Sequence, residues 1–319
     1  MKTDRLYQTV LGCLLLTAGC SDNALIPSLP EGTPLTVSAA ICASGEGRES
    51  ETRAAVAAGT RAVAADNGYD RSTFAAGDKI RIIRSRNGSS STPVDYTLNS
   101  ASSGNSTGEW KPSVTGTGTE LLVESGATYQ ASYPIEYSGI RADQRKAGGE
   151  DYRLSNLLET PEKVAIGRDG TLSFTGESAF VHKGVKLTLK FSGKNTLSKD
   201  FTSMTVTGNG LYSGEASKDE TVYLYHPGGT GDAKYTWHGI IAPLTSQQSI
   251  WVSVTDANGV VYDVTLTCAR AANSHYTYTL TLKNNVLVPT GQEIKEWQSG
   301  DSHTGTSVSY THLRAHETA

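Results

Sequence analysis

The residue whose chemistry is clearest from its surroundings is Cys20, which follows three small residues at positions 17–19. Residues 10–16 form a mostly apolar stretch too short to span a bilayer, and Lys2 and Arg5 make the segment before it positive. This pattern resembles a bacterial lipobox, in which a peptidase removes the leader and the cysteine thiol becomes bonded to a lipid. Thr17 departs from the pattern, because lipoboxes prefer Leu at that position.

This motif predicts that residues 1–19 are a lipoprotein signal peptide, that Cys20 is the lipidation site and that residues 20–33 form a tether. No interior run approaches the roughly 20 apolar residues of a membrane helix, so we expect membrane attachment through the lipid. The alternative is an ordinary secretory signal in which the cysteine is incidental.

Other side chains with reactive groups form no recognisable catalytic or metal site. The candidate metal ligands are His182, His226, His238, His275 and His303. None has a partner at metal-ligand spacing, no Gly-x-Ser-x-Gly turn occurs, and residues 193–196 lack the upstream glycine of a phosphate-binding loop. We therefore expect no metal, no cofactor and no enzyme activity. A hydrolase whose site is assembled from distant residues is a weaker hypothesis.

The composition favours a secreted β protein. The chain has 15 Tyr, 5 Phe and 2 Met, and a net charge of -4. A nucleic-acid-binding protein would carry an excess of Lys and Arg, so that class is excluded. Cys42 and Cys268 are too far apart in sequence to define a disulfide framework, and we expect two free thiols.

Two groups of aromatic residues could provide stacking surfaces for a sugar ring. They are Tyr129, Tyr133 and Tyr137, and Tyr223, Tyr225, Tyr235 and Trp237. Aromatic side chains at alternating strand positions more often fill a core or form cross-strand pairs. We therefore expect these residues to be structural, with a saccharide platform as the alternative.

The elements that must position any site begin with a strand at residues 34–41. Leu35, Val37, Ala39 and Ile41 lie on one face of it, the period of a half-buried strand. Residues 43–70 follow without a strand pattern, and we expect a long exposed loop, which is often functional. The loop contains Arg53 and Arg61, each within a Thr-Arg-Ala triplet.

Short strand patterns separated by turn residues continue through the rest of the chain. No helix is long enough for a parallel crossover, so the sequence predicts an all-β fold of two tandem antiparallel sandwich domains, at 34–160 and 161–300. In the strand at 185–191, Val185 and Leu187 should pack inward while Lys186 and Thr188 face water. Residues 308–319 look like a translated sequencing adapter and are excluded from this reasoning.

Several segments, in their order along most of the chain, together resemble the fimbrillin family, the pilins of Gram-negative anaerobes. They are the lipobox at Cys20, the Thr-Arg-Ala triplets and the segments 74–80, 129–134, 182–187, 276–282 and 294–297. The resemblance implies two transthyretin-like β-sandwich domains without catalytic activity. It also implies export as an outer-membrane lipoprotein, carrying acyl chains such as palmitate at Cys20, that enters a surface fimbria.

The resemblance further implies a route of assembly. In polymerising members an Arg-specific protease cuts the loop after the first strand, the strand leaves, and a strand of another pilin subunit fills the groove. Here the displaced strand would be residues 34–41, and cleavage would follow Arg53 or Arg61. We prefer Arg61, because it lies closer to the regular strands. The alternative is that both arginines only make an Ala-rich loop soluble.

The donor segment of stalk pilins is C-terminal, which points to residues 284–297 with the apolar run Val286, Leu287 and Val288. The same segment could equally be the last strand of the second domain. The sequence does not separate a stalk from a tip or anchor subunit. The leading hypothesis is a pilus subunit that contributes to adhesion, and the alternative is a monomeric surface lipoprotein that binds a glycan or host ligand.

Overall fold

The computed structural model of the chain describes residues 29–41, 73–102, 105–116, 119–161, 163–245 and 248–297. Strands dominate this part of the chain, as the sequence predicts. The strands of its first half are β1 (Thr36–Ala39), β2 (Lys79–Arg86), β3 (Ser89–Ser90), β4 (Val94–Ser102), β5 (Asn105–Pro112), β6 (Thr128–Tyr133), β7 (Leu158–Glu159), β8 (Val164–Ala165), β9 (Thr171–Phe174) and β10 (Val181–His182).

The strands of the second half are longer. They are β11 (Val185–Phe191), β12 (Phe201–Asn209), β13 (Asp219–Tyr223), β14 (Thr236–Ile241), β15 (Gln248–Asp256), β16 (Val261–Cys268), β17 (Ser274–Lys283) and β18 (Val286–Glu296). The helices of the described residues are single turns: α1 (Glu150–Leu154) and α2 (Lys194–Leu197), with 3₁₀ turns at Ala147–Gly149, Gly176–Ser178 and Gly231–Tyr235.

The first half contains one large sheet and one two-stranded ribbon. A large sheet has the order β10-β7-β6-β2-β4-β5, with β3 and β8 attached to β2 and β6, and its pairs are antiparallel. β1 and β9 pair with each other in parallel to form a separate ribbon. The buried side chains of both form one core, which includes Leu172, Phe174 and Phe180. This core therefore continues beyond residue 160, where the sequence suggests a domain boundary.

Among the described residues of the second half, two four-stranded sheets, β14-β11-β17-β18 and β13-β12-β15-β16, face each other across a second core. β11 and β17 pair in parallel without a crossover helix, because the chain between them forms all four strands of the opposite sheet as well as β14 of their own. The turn at Asn258-Gly259 joins β15 to β16 as a hairpin. Gly259 adopts a φ of 79°, and Asp256 accepts backbone hydrogen bonds from Asn258 and Val260.

The prediction that Lys186 and Thr188 face water is wrong, because both side chains are buried. The outer face of their sheet is covered by a small apolar cluster formed by Tyr152, Tyr225, Ile240 and Trp297. Thr188 Oγ1 lies 3.1 Å from His238 Nδ1 and 2.8 Å from His275 Nε2, so its hydroxyl is satisfied inside the protein. Tyr152 belongs to the first half of the chain, so this cluster joins the two halves.

Candidate functional site

The strand that the sequence singles out for removal lies inside the first core. Leu35, Val37, Ala39 and Ile41 are all buried there, and the residues between them are half-buried or exposed. The predicted strand at 34–41 is observed as β1 with single bridges from Pro34 to Leu122 and from Ile41 to Phe180. The alternation of side chains along β1 therefore inserts four apolar groups between the sheets.

The backbone of this segment is hydrogen-bonded on both flanks. At its start, Leu35 N donates to Leu121 O at 2.9 Å, and Val123 N donates to Thr33 O at 2.7 Å. From Thr36 onward the contacts pass to the other neighbour, and Thr36 N donates to Gly170 O at 3.1 Å. The segment thus lies in a slot whose two walls are extended chain.

The contacts continue past β1. Ala40 N donates to Phe174 O at 2.9 Å, and Phe180 N donates to Ala40 O at 3.0 Å. β9 pairs with β1 alone among the described strands. Loss of β1 would therefore leave the backbone of β9 unpaired and expose the apolar side chains of a buried core, which is the kind of edge that recruits another strand.

The predicted donor residues lie in β18. Val286, Leu287 and Val288 pair with Lys283, Leu282 and Thr281 of β17. The turn between the two strands is Asn284-Asn285, with φ values of 51° and 60°, the positive values that a tight hairpin needs. Leu287 is buried in the second core, whereas Val286 is 58% exposed. Of the two possibilities left open by the sequence, the structure shows the segment as the last strand of its own sheet.

The remaining predicted modification sites lie outside the described residues. These are the lipidation site Cys20 and the cleavage sites Arg53 and Arg61. Cys42, His303 and the adapter-like segment 308–319 also lie outside them. Cys268 is a free thiol in the second core, and burial raises its pKa to about 11.

The aromatic groups proposed as sugar platforms are mostly structural. Tyr129, Tyr133, Tyr225 and Trp237 are buried, as expected for core residues. Tyr223 is partly exposed, with the Arg145 guanidinium 4.3 Å from its ring centre. Sequence reasoning missed Trp251, whose side chain is exposed on the outer face of the second sandwich. The signal was present, because Trp251 alternates with Ile250 and Val252 and must therefore point away from the core.

Within the described residues, no three His, Cys, Asp or Glu side chains are grouped closely enough to hold a metal ion. None of the helices in this part of the chain is both long and apolar enough to cross a membrane. The described residues thus show strands, strand edges and the slot filled by residues 33–41.

These elements define an all-β protein in which a strand held in a slot of the first core is followed by a second β-sandwich. The chain belongs to the fimbrillin-like family, whose sequence profile matches residues 60–297. That match contains Arg61 and begins after β1 and Arg53. A search of curated proteins found no match.

Solved structures show the same fold. One similar structure, provisionally described as a cell adhesion protein of Bacteroides ovatus, is 16% identical; the alignment covers 85% of this chain and 99% of that one, with a TM-score of 0.55. A second, with the same provisional description, comes from Bacteroides uniformis and is 14% identical; the alignment covers 72% of this chain and 95% of that one, with a TM-score of 0.53. At these identities the likeness concerns the fold alone.

Proposed function

We propose that the protein is a structural subunit of a cell-surface fimbria that assembles by strand exchange and contributes to adhesion. The family supports a pilus or adhesin role at the cell surface. The observation that carries the assembly step is the slot occupied by residues 33–41, which is bonded on both flanks and filled by four buried apolar side chains. A neighbouring subunit could complete the same core with a strand of its own.

In this proposal the two cores correspond to two tandem domains, and Cys20 carries the lipid that holds the precursor at the outer membrane. Cleavage after Arg61 or Arg53 by an Arg-specific protease separates β1 from the rest of the chain. The two cleavage sites follow β1 and precede β2 in sequence. A single cut there frees β1 and its lipid together, so release from the membrane and opening of the slot become one event.

A pair of serines offers a sharp test. Ser38 of β1 pairs with Ser173 of β9, and the Ser38 hydroxyl donates to the Ser173 hydroxyl at an Oγ–Oγ distance of 3.2 Å. Cysteines at both positions are close enough to form a disulfide that holds β1 in the slot. We expect purified precursor treated with an Arg-specific endoproteinase to form detergent-resistant ladders on gels. The oxidised S38C/S173C variant should stay monomeric after the same cut.

Reduction of that variant should restore the ladder, and S38A/S173A serves as the control that removes the hydroxyl pair without a cross-link. Equal ladders from the oxidised and reduced forms would show that β1 need not leave. N-terminal sequencing of the products identifies the cut: Ala62 indicates Arg61, Ala54 indicates Arg53, and a chain that still begins at lipidated Cys20 indicates an anchor role.

The donor strand is proposed to come from the C-terminal part of a neighbouring subunit. Residues 286–297 qualify only if β18 leaves β17, so the donor test targets their pairing. A disulfide between cysteines at Leu282 and Leu287, which pair in the β17–β18 ladder, would hold β18 in place. If that cross-linked protein still forms full-length polymers, β18 is not the donor.

The second candidate function, a monomeric lipoprotein that binds a glycan or host ligand, is favoured by one observation, the exposed Trp251. A protein that binds its ligand as a monomer and never forms ladders after cleavage would support it over assembly.

A further inference from the structure

The outer face of the sheet β13-β12-β15-β16 carries a band of small hydroxyl side chains around one large aromatic ring. Trp251 on β15 lies between Thr207 of β12 and Thr265 of β16 in the register of the sheet. Other outward side chains of the same face are Thr205, Asn209, Asp219, Thr221, Ser249, Ser253 and Asp263. The face that looks away from the core is thus mostly polar, with Trp251 at its centre and Tyr223 and Val261 further out.

The indole of Trp251 is both exposed and fixed. Half of the residue, 51%, is open to solvent, whereas Trp110, Trp237 and Trp297 are buried. Its Nε1–H group donates to Ser253 Oγ and to Asp263 Oδ1, with nitrogen–oxygen distances of 3.0 Å and 3.1 Å. The Ser253 hydroxyl donates to the same carboxylate oxygen, which ties the three groups together. The ring therefore keeps one orientation while its apolar surface remains available. A ligand that stacks on it does not have to immobilise this side chain, so binding avoids that entropic cost.

A shallow depression of about 530 Å³ adjoins the ring. The depression is lined by polar residues around the indole: Thr207, Asn209, Asp219, Ser249, Ser253 and Thr265, with Gly208, Ile250 and Trp251. The depression is open to solvent, so a ligand would lie across the sheet with one face against the indole. The lining offers hydroxyl, amide and carboxylate groups and contains no Lys or Arg.

We propose that this face binds a neutral saccharide, with the apolar face of a sugar ring against Trp251 and its hydroxyls on the surrounding polar groups. A polyhydroxylated ligand matches the many short donors and acceptors, and its C–H face matches an exposed indole. Acidic sugars and nucleic acids are disfavoured because the lining has a carboxylate and no cation to pair with their charge.

A cationic peptide is the main competing ligand, because both an indole and a carboxylate attract positive charge. Two observations favour the sugar. Asp263, the carboxylate beside the indole, already accepts hydrogen bonds from Trp251 and Ser253, which leaves Asp219 as the single carboxylate of the lining. The platform is also a single ring rather than an aromatic cage. The inference rests on the adhesion part of the proposed function and is independent of strand exchange.

The test uses the full chain, purified as a monomer, on a printed array of neutral, sialylated and sulfated oligosaccharides, with a hexa-arginine peptide as an additional probe. We expect neutral glycans to be retained, and Trp251→Ala to weaken that binding about two- to tenfold, the loss expected when an aromatic stacking contact is removed. Trp251→Phe should recover part of the affinity. Val261→Ala is the matched control, since Val261 is an exposed apolar residue on the same strand face as Asp263.

Titration with the best neutral glycan should change the tryptophan fluorescence of the wild type but not of Trp251→Phe. The proposal is overturned if no neutral glycan depends on Trp251, or if hexa-arginine is the probe whose binding Trp251→Ala abolishes. Ladder formation after protease treatment should be unchanged in Trp251→Ala, which separates failure of this site from failure of assembly.

Discussion

The side-chain amide of Gln144 forms hydrogen bonds with both backbone groups of Ile240: Oε1 accepts from Ile240 N at 2.9 Å, and Nε2 donates to Ile240 O at 2.7 Å. Gln144 is fully buried. Ile240 lies on β14, an edge strand of the second sandwich. One side chain thus supplies the contacts that a neighbouring strand would make, and it closes an edge that could otherwise pair with another chain.

The same segment also closes the neighbouring sheet. Tyr223 N of the edge strand β13 donates to Ala142 O at 2.7 Å, and Gln144 N donates to Tyr223 O at 3.0 Å. Residues 142–144 therefore cover one edge of each sheet of the second sandwich. This arrangement leaves β16 and β18 as the strands at the opposite edges of the two sheets.

The first prediction concerns this closure. Gln144→Ala leaves the N–H and C=O of Ile240 without their partner in a buried place, so we expect a loss of about 1–3 kcal/mol in the free energy of unfolding. Urea unfolding followed by the fluorescence of the buried Trp237 measures it. Gln144→Glu is the matched variant, because it can still accept from Ile240 N but cannot donate to Ile240 O when ionised. A Gln144→Ala protein as stable as the wild type would show that the closure is not stabilising.

The second prediction concerns the slot around β1. Leu172 of β9 is fully buried opposite Val37 in the parallel register. Leu172→Ala should remove about 2–5 kcal/mol from the stability of the first core, because a cavity remains where the side chain was. Val114→Ala, at a residue 67% exposed in the same half, should cost almost nothing. Denaturation monitored through Trp110 compares the two, and equal midpoints would contradict the packing of β1 against β9.

The third prediction concerns acid. Burial disfavours the charged form of Asp256, but hydrogen bonds from Val260 N, Asn258 N and the Tyr262 hydroxyl outweigh it, and the pKa of Asp256 is lowered. A lowered pKa stabilises the fold above the unfolded value of about 3.9, and this stabilisation is lost as the pH falls through the lower folded value. Asp256→Asn should therefore be less stable than the wild type at pH 7, with the difference shrinking below about pH 4.

Urea midpoints measured between pH 7 and pH 2 test this expectation. Asp219→Asn is the control, because Asp219 is an exposed carboxylate on β13 of the same sheet. A constant difference between wild type and Asp256→Asn over the whole range would rule out the ionised carboxylate as the source of the stability.

The fourth prediction concerns Cys268. Because burial raises the pKa of its thiol to about 11, only roughly a thousandth of it is thiolate at pH 8. We expect iodoacetamide to leave Cys268 unmodified in the folded protein and to label it fully in urea, as measured by peptide mass spectrometry. Rapid labelling of Cys268 without denaturant would show that the second core opens at this point.

The sequence predicted the strands of both cores well, because their alternation is strong and their turns contain Gly, Asn or Asp. It also placed Leu35, Val37, Ala39 and Ile41 on one buried face, since a period of two decides which side chains share a face. What alternation cannot show is whether the second face is also covered. Lys186 and Thr188 were misassigned for that reason, because the cluster that covers their face is assembled from distant residues, from Tyr152 to Trp297.

Local sequence patterns also could not predict which distant segments of the chain contact each other. Nothing near β1 in sequence indicates that it pairs with β9, and nothing near Gln144 indicates that its amide will bind Ile240. Trp251 differs from these cases, because its neighbours Ile250 and Val252 already placed it on the outer face. It was missed because a lone aromatic residue on a polar strand face forms no cluster or motif in the sequence.

The parallel pairing of β1 with β9 has a mechanical consequence. A pull directed along β1, away from β9, loads the hydrogen bonds between the two strands as shear. Bonds loaded in shear share the force and must fail together, whereas bonds pulled open from one end fail one at a time. The first core should thus resist tension along β1 far better than it resists peeling, and under the proposed exchange a donor strand that paired with β9 in the same direction would carry the same load.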